Sequence, residues 1–195
     1  MHFLLSPSDL RNFEMKNQEY LVDTTYYELP PGEAEYRLYS YISTLYNGIT
    51  ILDIGTNQGR SAVALSHNPS NHVISYDIVD LIRSRDYHLF DKPNMEFHIK
   101  NVLDDITPEF LQKKNVQLVM IDICHTGGPE RVIMKQLWDS GFRGMVLLDD
   151  ITLNDDMKRL WNDTQWRKYD ITSCGHWSGT GLVLMNDVDE MTLTR

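Results

Sequence analysis

The sequence predicts an α/β fold: a doubly wound, mostly parallel sheet with helices on both faces and one antiparallel strand near the C-terminus. Three observations carry this. Short, near-continuous apolar runs alternate with stretches of helical periodicity from residue 49 onward, as in a parallel sheet covered on both sides. One run, Ile51-Leu52-Asp53-Ile54, leads into Gly55-Thr56-Asn57-Gln58-Gly59-Arg60-Ser61, which reads as a strand, a two-glycine loop and a helix start. The last two apolar runs, near 166–172 and 181–186, flank Ser178-Gly179, and so short a connection favours antiparallel pairing.

Residues 1–31 read as a short amphipathic lead-in, with Tyr20, Tyr26 and Tyr27 close together and Pro30-Pro31 as a stop. A helix is expected from Gly32 to Tyr46: Glu33 and Glu35 suit its amino end, Leu38, Tyr41, Ile42 and Leu45 form one apolar face, and Asn47-Gly48 ends it. Strands are then expected near 49–54, 72–77, 94–99, 116–122 and 144–149, with helices near 58–67, 80–89, 108–113, 129–139 and 154–162. No repeat, low-complexity tract or linker divides the chain. The 195 residues therefore read as one domain with its core over 32–186.

Composition narrows the function. A net charge of −10 with no basic run argues against a nucleic-acid partner, because phosphate binding needs a surplus of Lys and Arg. Cys124 and Cys174 lack metal-site spacing, and neither a signal peptide nor an apolar run of membrane length is visible. A cytoplasmic protein acting on a small molecule, with no membrane partner, is the expectation. A homo-oligomer stays open.

The Asp53–Ser61 loop is the most informative stretch. A turn that lets backbone approach a ligand at the carboxyl end of a strand is where open α/β sheets bind nucleosides. A dinucleotide fingerprint needs G-x-G-x-x-G, whereas Gly55 and Gly59 are four apart, with Asp53 two residues before the first. Asp77 ends the next strand, 18 residues beyond Gly59, where a carboxylate can accept both ribose hydroxyls. Asp77 would suit NAD equally, so the glycine spacing separates the two. The plainer alternative is that the glycines make a tight turn and Asp77 caps the next helix.

The acid-x-Gly-x-x-x-Gly pattern resembles the first motif of class I S-adenosylmethionine-dependent methyltransferases. That resemblance implies a Rossmann-like sheet and S-adenosylmethionine as cofactor. It assigns cofactor contacts to Asp53, Gly55, Thr56, Asn57, Gly59, Asp77, Ile78 and Asp122. Ser61 matches the serine that holds the methionine carboxylate in catechol-type O-methyltransferases. Asn101 and Val102 follow the third strand, where the fold contacts adenine. The usual acid is missing there, although Asp104 and Asp105 are near.

The fourth and fifth strands end in Asp122 and in Asp149-Asp150, on the same side of the sheet as the glycine loop. Three uncompensated acids in one cleft raise each other's pKa. A hard divalent cation relieves that, and an all-oxygen set favours Mg2+ or Ca2+ over zinc. His125 lies three residues after Asp122, and an imidazole suits removal of a hydroxyl proton. An exposed or helix-capping histidine and a strand-end acid pair are the alternatives. Asp155-Asp156 begin a helix after Asn154 and are left out of the metal set.

Asp122-x-x-His125, followed by Trp138 and by Gly144 to Asp150, is similar to the macrocin and mycinamicin sugar O-methyltransferases. The likeness covers residues 33 to 185 and implies Mg2+ on Asp122, Asp149 and Asp150, with His125 as base. Catechol O-methyltransferases instead carry Lys at the His125 place and Asp-Asn at the pair. The implied reaction is O-methylation of a small hydroxylated acceptor, a sugar or sugar nucleotide ahead of a phenol. Metal-independent N- or O-methylation and a non-catalytic cofactor-binding module are the alternatives. The lead-in and the 173–180 loop would wall the acceptor site, with Tyr26, Tyr27, His176 and Trp177 as candidates. Trp138, Trp161 and Trp166 are left to packing.

Overall fold

The computed structural model describes residues 2–82, 87–186 and 190–193. The order of elements is β1 (His2–Leu5), α1 (Pro7–Arg11), α2 (Thr25–Glu28), α3 (Pro30–Ser43), β2 (Thr50–Ile54), α4 (Arg60–Leu65), β3 (His72–Asp77) and β4 (Met95–Ile99). It continues with α5 (Pro108–Lys114), β5 (Val116–Ile121), α6 (Gly128–Asp139), β6 (Met145–Leu148), α7 (Asp155–Asp163), β7 (Arg167–Asp170), β8 (Gly181–Leu184) and β9 (Glu190–Leu193). The main sheet has seven strands in the order β4-β3-β2-β5-β6-β8-β7. Strands β2 to β6 run parallel, and β8 is antiparallel to both β6 and β7. The single reversed strand is β8, as the short final connection implied.

Alternation along each strand divides the core in two. Ile51, Val73, Leu118, Met120, Met145 and Leu147 pack with Leu38, Tyr39 and Ile42 of α3 and with α4. Leu52, Ile74, Val119, Ile121, Val146 and Leu148 pack with α5, α6 and α7 on the other face. Side chains of successive strand residues point to opposite faces, so near-continuous apolar strands need both layers. The chain changes direction across the sheet between β2 and β5, and the crevice at such a switch point is where α/β folds bind ligands.

Several boundaries differ from expectation for local reasons. Pro30 and Pro31 open α3 instead of stopping the segment before it, because proline fits the first helical turn, where no N–H partner exists. Helix α4 begins at Arg60, not Gln58, since Gly59 adopts φ +81° as its N-cap. A helix over 80–89 does not form in the described part: Tyr87–Asp91 is a 3-10 turn, 80–82 are irregular and 83–86 lie outside the described residues. Strands β1 and β9 were not anticipated. They pair in parallel as a separate two-stranded ribbon. Among the described residues no helix is long and apolar enough to cross a membrane.

Candidate active site

At the carboxyl end of β2 the chain turns sharply. Gly55 and Thr56 both donate to the Tyr76 carbonyl, at 2.8 and 3.1 Å, and Gly59 N–H closes the loop on Thr56 O at 2.7 Å. Gly55 has φ +107°, and a Cβ there would lie 1.6 Å from the Asp122 carbonyl oxygen. Only glycine suits that backbone and that gap. Asp53 is fully buried on the α3/α4 side, where Ser75 Oγ donates to Oδ2 at 2.5 Å. Ser75 spends its single proton there, so the 2.5 Å contact with Thr56 Oγ1 has threonine as donor. Ser61 is also buried and faces Asp53. Asp53, Thr56 and Ser61 thus brace the loop from beneath.

A cavity of about 740 Å3 opens above the loop, a size that suits a nucleoside-sized ligand. Gly55, Asn57, Asp77, Ile78, Asn101, Val102, Asp122 and His125 all line it. Asp77 is fixed at its edge: Asn57 N–H donates to Oδ2 at 2.8 Å and Val79 N–H to Oδ1 at 3.0 Å. Each oxygen keeps a lone pair for a further donor. Ile78, Val79, Leu81 and Val132 are exposed apolar side chains on the same lining. They give a flat apolar ligand surface to cover. Asn101 caps the next turn by accepting from Leu103 N–H at 3.1 Å, beside the buried Val102.

Past the cavity floor the acids gather. Asp122 N–H extends the sheet ladder to Ile54 O at 2.9 Å and Asp149 N–H does so to Ile121 O at 3.1 Å. Asp150 takes φ +59°, a costly conformation for a non-glycine residue that lets consecutive carboxylates converge. Donor atoms of Asp149, Asp150 and His176 lie within 4.8 Å of one another. Asp122 joins this group through His125, whose Nε2 is 3.2 Å from Asp122 Oδ1 and whose Nδ1 is 3.3 Å from Asp150 Oδ2. His125 is itself left-handed, at φ +54°. Glu130 Oε1 accepts its N–H at 2.8 Å and Asn154 Nδ2 donates to its carbonyl at 2.9 Å, so two helices clamp the main chain of the candidate base.

Two participants escaped the sequence reading. Glu35, taken for an ordinary acid at a helix start, is buried, accepts from Tyr39 Oη at 2.7 Å and faces Asp149. Glu130 is equally buried under the His125 loop. A signal existed for both. Glu35 stands at i, i+3, i+4, i+7 spacing with Leu38, Tyr39 and Ile42, and Glu130 with Ile133, Met134 and Leu137. A carboxylate in an apolar stripe is going inside. Of the proposed acceptor wall, Tyr27 is core, stacked on Tyr36. Tyr26 lies over Arg60, and Trp177 is 70% exposed. Trp161 and Trp166 are partly buried against the core, and Trp166 also meets the more exposed Trp138.

Burial, then repulsion from neighbouring acids, holds Asp122 and Asp149 well above the usual carboxylate range. Burial also raises Glu35, and it pushes Asp53 from 3.8 to about 6. Burial would raise Asp150 too, but His176, Ser178 and the charge of His125 hold it low. The Asp150 carboxylate in turn raises His176. A carboxyl raised in the folded state keeps its proton after the unfolded chain has lost it, so higher pH favours unfolding. In EDTA the melting temperature should fall as pH climbs from 4 through 6 and beyond, Asp53 alone costing about 3 kcal/mol at neutrality. A histidine raised by folding adds stability below its ordinary value and loses it as pH rises, in the same direction. A flat melting profile from pH 4 to 8 would contradict this.

No protein-family model matches the chain, and no curated protein matches it by sequence. Solved structures do. The SAH-bound methyltransferase PaMTH1 of Podospora anserina superposes with a TM-score of 0.62 at 12% identity, over 91% of this chain and 92% of that one. The fold is Rossmann-like, and that methyltransferase shares it. The O-methyltransferase TomG of Streptomyces achromogenes, involved in tomaymycin synthesis and solved with SAM, gives 0.57 at 16% identity, over 89% and 100% of the two chains. A methyltransferase from Geobacter sulfurreducens gives 0.55 at 9%, over 76% and 77%. At these identities the methyltransferase likeness is one of architecture, and the Rossmann-like sheet expected from the glycine loop is the one observed.

Proposed function

We propose that the protein is an S-adenosylmethionine-dependent O-methyltransferase acting on a small hydroxylated acceptor, with a sugar or sugar nucleotide ahead of a phenol and Mg2+ or another hard divalent cation assisting. The carrying observation is that the glycine loop, Asp77, Asp122 and His125 all line one cavity at the switch point of the sheet. The fold, shared with structures solved with SAH or SAM, supports the cofactor. Asp77 would accept the ribose hydroxyls, Ile78 and Val102 would flank the adenine, and the Gly55–Gly59 main chain would approach the methionine end. Bound there, the cofactor supplies an electrophilic methyl group.

The acid cluster fits a cation. Asp149 Oδ1 and Asp150 Oδ1 are buried without hydrogen bonds, and such groups call for a partner. Asp149 and Asp150, with Asp122 across His125, would hold it. A cation there supplies Lewis acidity toward an acceptor hydroxyl and a template for its position. His125 then takes the hydroxyl proton, and Asp122 and Asp150 stabilise the imidazolium that results. Orientation carries much of the rate, because methyl transfer needs in-line approach.

Removing divalent ions with EDTA should abolish turnover while leaving S-adenosylhomocysteine binding, measured calorimetrically, unchanged. A second reading, metal-independent transfer in which the acids only orient the acceptor, draws on His125 already sitting on Asp122 and Asp150. Full turnover in EDTA would decide for it. Tight cofactor binding without transfer to any of a broad acceptor panel would instead point to a non-catalytic module.

A further inference from the structure

We infer that His176 is a ligand of the cation site, and that its nitrogen makes the site select a first-row transition ion such as Mn2+ over Mg2+. The inference rests on the reading of Asp149 and Asp150 as a cation site and adds to it the donor set and the class of metal.

Three acids were expected to form an all-oxygen set. The geometry brings together a different trio: donor atoms of Asp149, Asp150 and His176 within 4.8 Å. Asp149 and Asp150 are only 6% and 9% exposed, and their Oδ1 atoms lack hydrogen bonds. His176 Nδ1 stands 3.6 Å from Asp150 Oδ1, close enough for both to reach one ion, and it contacts Ser178 Oγ, a hydroxyl that an arriving ion would displace from the ring nitrogen. Asp122 Oδ1 is meanwhile engaged by His125.

The main chain that carries the imidazole is also held in place. Thr180 Oγ1 accepts the main-chain N–H of His176 at 3.2 Å, and Gly179 N–H donates to the His176 carbonyl at 3.0 Å. Thr152 N–H and Oγ1 both donate to Ser178 O, and Ile151 N–H donates to Gly179 O. The loop that carries His176 is therefore laced to the residues directly after Asp149-Asp150. A ligand fixed against the other ligands loses little freedom when an ion arrives.

Two carboxylates and an imidazole do not describe a magnesium site. Mg2+ takes oxygen donors and retains waters, whereas an imidazole suits first-row transition ions, and Mn2+ accepts both donor types.

The test is Mn2+ and Mg2+ titration of the full chain, with pulsed electron paramagnetic resonance on the Mn2+ form. Wild type should bind Mn2+ about tenfold or more tightly than Mg2+ and show nitrogen hyperfine coupling. His176→Ala should lose the coupling and most of the preference, and His125→Ala should keep both. No coupling in wild type, or coupling that survives His176→Ala, overturns the assignment. If Asp150→Asn abolishes ion binding while His176→Ala changes nothing, the cation site stands and the histidine ligand fails. If neither ion binds wild type, both the ligand and the cation fail, while S-adenosylhomocysteine titration of the same samples judges the methyltransferase reading separately. His176→Gln and melting in EDTA guard against loss of folding as the cause.

Discussion

Replacing His125 with alanine is expected to lower kcat by about 10²–10⁴-fold, the usual contribution of a positioned general base. Cofactor affinity should stay close to wild type, because the ring faces Asp122 and Asp150 while Asp77 and the glycine loop lie elsewhere on the cavity lining. Added imidazole should restore part of the rate. The variant also removes the ring that separates two carboxylates, so its melting temperature should depend more steeply on divalent ions than that of wild type. Wild-type turnover in His125→Ala would remove it as the base.

Gly55→Ala should be the most damaging single methyl in the molecule. Its Cβ would fall 1.6 Å from the Asp122 carbonyl oxygen and 2.6 Å from the carbon, at φ +107°. Backbone strain and overpacking each cost about 1–3 kcal/mol, so a loss of roughly 2–6 kcal/mol is expected. Relief requires β2 and β5 to part at the switch point, which moves Asp122 as well. Denaturant unfolding should show the loss, and any folded fraction should bind S-adenosylhomocysteine weakly. Near-wild-type values for both would mean the turn relaxes in a way the present geometry does not suggest. Gly48, with nothing within 4 Å of its Cβ position, is the control for general glycine sensitivity.

The sheet was legible because its strands are apolar on both faces. Ile51-Leu52, Leu118 to Ile121 and Met145 to Leu148 could hardly be anything else between turn signals. The switch-point residues followed from position alone, since a residue at the carboxyl end of a parallel strand faces the ligand side whatever its neighbours do. Asp77 and Asp122 were read from such places, Gly55 from the glycine spacing and His125 from its place three residues after Asp122, and all four line one cavity. What was hidden depends on contacts distant in sequence. The β1–β9 ribbon joins residues nearly the whole chain apart, and neither segment has the length to declare itself. Ser61 sits beneath the loop because Asp53 and Ser75 make a buried polar pair there, which no local pattern reports. Glu35 and His176 reach the acids from a helix and a loop that only the tertiary structure brings to the ends of β5 and β6. Glu35 could have been caught by weighing its place in the apolar stripe above its charge.

Asp77 is already ordered in the folded chain. Both of its oxygens are tied to main-chain N–H groups before any ligand arrives. A side chain that must be ordered at an interface costs about 0.5–1.5 kcal/mol at each encounter, and here folding has already removed that freedom. On the proposed role of Asp77, hydroxyl groups arriving at this edge would meet a stationary target, and the edge would sort a ribose from a sugar lacking one hydroxyl without waiting for a rotamer to settle. Recognition at that point should be fast as well as selective, with discrimination appearing in the dissociation rate.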